Sequence, residues 1–104
     1  MASSNEIFLP GIVLGELYYG ARKSIHFKQN SARIDELPTN SVVLFCDLAT
    51  AQHYGAIKAQ LRSKGKPIPE NDIWIAAIGQ QHQLAIVTRD NHFQHVDNLV
   101  IEQW

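Results

Sequence analysis

Asn71-Asp72-Ile73-Trp74-Ile75-Ala76-Ala77-Ile78, followed after a short gap by Leu84-Ala85-Ile86-Val87-Thr88-Arg89-Asp90, is the stretch from which the fold is read. Asn71 can cap a helix that runs through Ile73, Trp74, Ala76, Ala77 and Ile78. Leu84 to Thr88 is a short, continuously apolar and β-branched run, the pattern of a strand covered on both faces. A helix feeding a buried strand is the repeating unit of a parallel α/β sheet. Upstream, Ser41 to Cys46 reads as another such strand. It leads into a helix capped by Asp47, with apolar positions at Leu48, Ala51, Tyr54, Ile57 and Leu61 and a stop at Gly65 before Pro67. Nearer the start, Glu6-Ile7-Phe8-Leu9 is a short strand closed by Pro10-Gly11. Leu14, Leu17, Tyr18 and Ala21 then follow the spacing of one buried helix face. A shorter helix is expected over Ser31 to Leu37, ended by Pro38, and Leu99-Val100-Ile101 makes a last strand. Strands alternating with helices predict an α/β chain with a mainly parallel sheet and helices on both sides.

Composition agrees with a folded protein. The 104 residues are 45% apolar and 18% charged, which predicts a single small domain over residues 1–104 and excludes disordered or fibrous classes. The net charge of −1 means that contact with nucleic acid must come from a local basic patch. The exposed face of the Leu48 helix offers Lys58, Arg62 and Lys64, with Lys66 beyond it, although a solvated helix face explains these equally well. The single Cys46 is expected as a buried thiol, which fits a reducing cytoplasm. No stretch approaches the roughly 18–20 apolar residues of a membrane span, and no basic-then-apolar leader is present, so a soluble cytoplasmic protein without a membrane partner is expected.

Three acids occupy positions where this architecture places chemistry. Asp90 follows the Leu84 to Thr88 strand, and the carboxyl ends of strands border the ligand crevice of open α/β sheets. Asp72 lies in the first turn of its helix, and Glu16 lies near the start of another. Gathered carboxylates repel one another unless a hard cation holds them, and magnesium suits phosphodiester hydrolysis. Taken alone, the helix dipole also accounts for Asp72, and Glu16 also reads as a solvated residue. His82, His92 and His95 have no regular ligand spacing and are expected on the surface rather than on a metal. Tyr18, Tyr19 and Trp74 are candidates to stack on bases, as aromatics do in single-strand recognition, but core packing is the expected role of Tyr18 and Trp74.

Three ordered motifs extend this reading. Ile12-Val13-Leu14-Gly15-Glu16-Leu17-Tyr18-Tyr19-Gly20-Ala21 resembles the PIN-domain helix that bears the family's glutamate. Pro67 to Ala77 is similar to the stretch with its third acid, and Leu84 to Asp90 with Phe93 resembles the strand and loop of its fourth. The resemblance is to VapC-type PIN domains, metal-dependent ribonucleases of toxin–antitoxin systems, and it covers nearly all of Glu6 to Trp104. It implies a three-layer α/β/α fold, with Glu16, Asp72 and Asp90 as catalytic metal ligands and Asn71 and Thr88 as polar support. Arg22, Lys23 and Arg89 become candidate RNA contacts. It also implies Mg²⁺ or Mn²⁺ as cofactor, RNA as substrate and a cognate antitoxin as partner. In the family a first strand with its own aspartate and two helices precede the equivalent of Glu6 to Leu9, and only Met1 to Asn5 precede it here. The sequence therefore predicts a truncated PIN domain without the central first strand, with metal held weakly if at all and RNA hydrolysis impaired. It also predicts an intertwined or strand-swapped homodimer. The alternative is a non-enzymatic remnant that dimerises or binds an antitoxin.

Overall fold

The structure is a computed structural model that describes residues 7–103. These residues fall into two compact units, one ending at Phe45 and the other beginning at Cys46.

The first unit is a parallel strand pair with two helices in its crossover. Strand β1 (Ile7–Pro10) lies beside β2 (Ser41–Leu44), with Ile7 opposite Ser41 and Pro10 opposite Leu44. Pro10 ends the ladder because it has no N–H to donate, and its φ of −64° already suits the entry to helix α1 (Gly11–Arg22). A side chain at Gly11 would meet the Phe45 ring at 2.8 Å, so only glycine fits there without the ring moving. Of the expected stripe on α1, Leu14 and Ala21 are buried, Tyr18 is half-buried and Leu17 is exposed. The Tyr18 hydroxyl donates to the Asp35 carboxylate, which ties α1 to helix α2 (Phe27–Glu36). That helix begins four residues before the expected Ser31. The Ser24 hydroxyl accepts from the His26 amide and from Asn30 Nδ2, closing a turn that carries no glycine or proline signal. Strand β2 also stops two residues short of the expected Cys46. Its partner runs out at Pro10, leaving Phe45 72% exposed. Cys46 is exposed rather than buried, because it sits in the connection ahead of a helix cap.

The second unit is built on two long helices, α3 (Leu48–Lys64) and α4 (Glu70–His82), followed by β3 (Ile86–Val87) and β4 (Ile101–Glu102). At the start of α3 the Asp47 side chain accepts from the Thr50 amide while the Thr50 hydroxyl accepts from the Asp47 amide, a capping box. Gly65, at φ 67°, ends the helix in the left-handed region. Thr50 is completely buried, and its hydroxyl also reaches Gln81 Oε1 on α4, whose Nε2 returns to Asp47 Oδ1 at 2.8 Å. The buried face of α3 therefore starts at Thr50 and continues through Ile57 and Leu61, whereas Leu48 is 75% exposed and Ala51 is exposed. Tyr54 stacks on Trp74 with ring centroids 4.0 Å apart, and both rings are half-buried.

Helix α4 begins earlier than an Asn71 cap would allow. Pro69 is its N-terminal flank, and the Pro69 carbonyl accepts from the Asp72 and Ile73 amides. Ile73 and Ile75 through Gly79 are buried. A Cβ at Gly79 would lie 2.9 Å from Ile86 Cδ1 and 3.2 Å from Leu99 Cδ1, so glycine sets the close approach of helix and strand. The strand expected over Leu84 to Thr88 shortens to Ile86–Val87, since the Leu84 amide closes the end of α4 on the Gly79 carbonyl. Strand β3 pairs parallel with β4, Ile86 opposite Ile101 and Val87 opposite Glu102. The expected parallel pairing is thus present as two ladders of two strands each among the described residues.

Two outcomes test this account. Thr50→Val should lower stability to chemical denaturation by about 1–2 kcal/mol, because it strips a buried hydroxyl from Asp47 and Gln81. Thr50→Ser should restore most of that loss, and Leu48→Ala should change stability by less than about 0.5 kcal/mol. The second outcome concerns acid. The Thr50 amide, and after it Gln81, hold the Asp47 carboxyl below its usual range; Lys58, and after it Tyr54, do the same for Glu70. A carboxyl whose folded pKa is lowered stabilises the fold above its unfolded pKa and loses that contribution as pH falls through the folded value. The loss of stability below about pH 4 should therefore be shallower in Asp47→Asn/Glu70→Gln than in the parent chain, as read from denaturation midpoints.

Candidate functional site: two aspartates and a histidine

Asp72 is in the first turn of α4, where the exposed amides of the helix start favour a negative charge. Asp90 stands after β3, at the start of the 3-10 turn Asn91–His95. Its amide donates to the Thr88 hydroxyl at 2.9 Å, and its own Oδ1 accepts from the His92 amide at 2.9 Å. That second contact folds residue 92 back beside the carboxylate. His92 Nδ1 consequently lies 3.0 Å from Asp90 Oδ1 and 3.1 Å from Asp72 Oδ2. One ligand atom from each of Asp72, Asp90 and His92 lies within 4.8 Å of the others. The Asp72 side chain is 18% exposed, against 43% for Asp90 and 48% for His92, so the deepest donor is the helix aspartate.

The turn that carries Asp90 and His92 is anchored from behind. Phe93 and Val96 are buried. Gln60 on α3 grips the backbone twice, donating to the His95 carbonyl at 2.8 Å and accepting from the Asp97 amide at 3.0 Å. Gln80 on α4 donates to the Asp97 carbonyl at 2.7 Å and is itself oriented by His53 at 3.0 Å. Lys64 pairs with the Asp97 carboxylate at 2.6 Å.

Among the residues singled out from sequence, Asp72 and Asp90 are brought together, and Thr88 supports Asp90 directly. Asn71 is exposed on the first turn of α4. Glu16 belongs to the first unit, where it lines a groove between α1 and α2 with Leu17, Gly20, Asn30, Arg33 and Ile34. Arg22 lies over the Phe27 ring at 4.3 Å and Lys23 over the Tyr19 ring at 4.7 Å, both exposed in that same unit. Arg89 precedes Asp90 and is exposed. Of the cations on α3, Lys58 pairs with Glu70 at 2.6 Å and Lys64 with Asp97, which leaves less of that face for phosphate. His92 is exposed, as expected of it, yet it is the residue that joins the two aspartates. The signal was local: an aspartate two residues before a histidine forms a side-chain turn that returns the imidazole to the carboxylate.

The donor set fits a small divalent ion. Carboxylate oxygens are the hard ligands of Mg²⁺ and Mn²⁺, and one imidazole is compatible with Mn²⁺. Two acids meeting where a helix begins and a strand ends lie where open α/β chains form their ligand crevices. More particularly, the chain belongs to the PIN-domain family, which it matches over residues 1–99. It is 36% identical to Ribonuclease VapC2 of Haemophilus influenzae over 103 residues, 98% of this chain and 78% of that protein. It is 34% identical to a tRNA(fMet)-specific endonuclease VapC of Shigella flexneri, with the same two coverages. In three dimensions it is similar to VapBC2 of Rickettsia felis bound to a promoter DNA fragment. The TM-score is 0.91 at 30% identity, over 97% of this chain and 77% of that one. DNA-bound VapBC from Salmonella typhimurium gives a TM-score of 0.88 at 34% identity, over 93% and 74%. Among the described residues no helix is long and apolar enough to cross a membrane.

The double grip of Gln60 should be measurable. Gln60→Leu removes the acceptor for the Asp97 amide and the donor to the His95 carbonyl. Hydrogen exchange at the Asp97 amide should accelerate, while amides in the middle of α4 keep their protection.

Proposed function

We propose that this chain is a VapC-type endoribonuclease toxin that hydrolyses RNA phosphodiester bonds with a divalent ion, Mg²⁺ or Mn²⁺, and is restrained by a cognate antitoxin. The observation that carries this reading is the convergence of Asp72 and Asp90, from two different elements, at the start of α4. Glu16 is the third acid assigned to the ion, by its match to the family's glutamate. In this reading Asp72 and Asp90 hold the ion, Thr88 fixes the Asp90 backbone, and Asn71 borders the same helix start. Once bound, the ion supplies an activated water and charge neutralisation at the leaving oxygen. Arg22, Lys23 and Arg89 are the proposed phosphate contacts. The name of the Shigella flexneri relative makes transfer RNA the first substrate to try, and the VapBC neighbours support an antitoxin partner.

A second copy of the chain is a further proposed partner. Among the described residues each ladder has two strands, and Ile7, Val42, Val87 and Val100 are exposed on them or beside them. Unpaired strand edges with apolar side chains favour pairing between chains.

The decisive assay is cleavage of a tRNA and of an unstructured RNA by the 104-residue chain with Mg²⁺ or Mn²⁺. EDTA should stop it, and Asp90→Asn should reduce it to background. Cleavage that survives both would remove the metal site from the mechanism, whereas antitoxin binding without any cleavage would favour the non-enzymatic alternative. Light scattering after size exclusion should report a dimer at micromolar concentration, and a folded monomer there would exclude pairing through the ladder edges.

A further inference from the structure

We infer that His92 is a further protein ligand of the same ion, adding a nitrogen to its carboxylate oxygens and so selecting Mn²⁺ over Mg²⁺. This rests on the metal-dependent reading above and adds a ligand to it.

The distances carry the inference. A six-coordinate ion with ligands at about 2.1 Å places neighbouring donors about 3.0 Å apart, whereas tetrahedral coordination would separate them by about 3.4 Å. His92 Nδ1 is 3.1 Å from the Asp72 oxygen and 3.0 Å from the Asp90 oxygen, so both separations equal adjacent edges of an octahedron. In the structure the same separations are hydrogen-bond distances, and the imidazole already sits where a common ion would draw it. Its position is not that of a free surface side chain. The His92 amide is held by Asp90 Oδ1, the next residue, Phe93, is buried, and Gln60 holds the far end of the turn.

Selectivity follows from the nitrogen. Mg²⁺ accepts oxygen ligands and gives up water reluctantly, so an imidazole in place of a water adds little for it. Mn²⁺ accepts the same carboxylates and also binds imidazole, and the affinity of nitrogen-containing sites rises along the first transition row. The other histidines of the second unit do not share the site. His53 is engaged by Gln80, His82 is exposed at the far end of α4, and His95 lies at the end of the turn where Gln60 holds its carbonyl.

The experiment uses the full chain and Mn²⁺ alone as probe. Electron spin echo envelope modulation of bound Mn²⁺ should show coupling to a nitrogen-14 nucleus, and His92→Ala should abolish it. The same variant should weaken Mn²⁺ binding by about tenfold or more and shift Mg²⁺ binding far less, so that their ratio falls. Asp90→Asn should weaken both ions. Mn²⁺ bound without nitrogen coupling, or with affinity unchanged in His92→Ala, overturns the inference while leaving the ribonuclease proposal in place. Failure to bind Mn²⁺ at all overturns it too. Nitrogen-coupled Mn²⁺ in a chain that cleaves no RNA upholds the His92 ligand and removes the activity instead. Because the coupling is read in the parent chain, poor folding of a variant does not decide the outcome.

Discussion

Helix α4 buries Ile73 and the whole run Ile75 to Gly79, so nearly every direction around its middle is covered. Burial of each large aliphatic side chain is worth about 1.5–3 kcal/mol, and this helix concentrates it. Its polar chemistry is pushed to the ends, with Glu70 and Asp72 in the first turn and Gln80 and Gln81 in the last. Asp72 is consequently a carboxylate on a rigid support. Gly79 brings Ile86 and Leu99 against the same helix, so the strand that leads to Asp90 is registered to α4 as well. The meeting of the two aspartates is a result of core packing, with no direct attraction between them to produce it.

Polar side chains lock that packing where apolar ones cannot. Thr50, Asp47 and Gln81 close the start of α3 on the end of α4, while Gln60 and Gln80 hold the backbone around Asp97. Each lock satisfies a group that would otherwise be costly to bury, and among the described residues no buried side-chain donor or acceptor is left without a partner. The turn that carries Asp90 and His92 is thereby held from behind by Gln60 and Gln80.

Surface charge is organised toward the same end. Two of the α3 lysines are spent on Glu70 and Asp97, pairs that contribute little to stability at exposed positions but reduce the positive field of that helix. Asp72 and Asp90 instead meet an imidazole, that of His92.

The sequence by itself determined the alternation of strands and helices, the Asp47 cap and Gly65 stop of α3, the family, and the acids Asp72 and Asp90. These are encoded locally: cap chemistry, the left-handed glycine and apolar periodicity act within a few residues and leave a readable pattern. Tertiary structure decided the rest. Strand lengths depend on the partner, as when Pro10 ends β2 from across the ladder or the closure of α4 consumes the Leu84 amide. The buried face of α3 begins at Thr50 rather than Leu48 because a glutamine on another helix accepts its hydroxyl. Pro69, through its carbonyl, took the helix start from Asn71. The contact of His92 with Asp72 depends on how distant segments meet, which spacing along one chain does not specify.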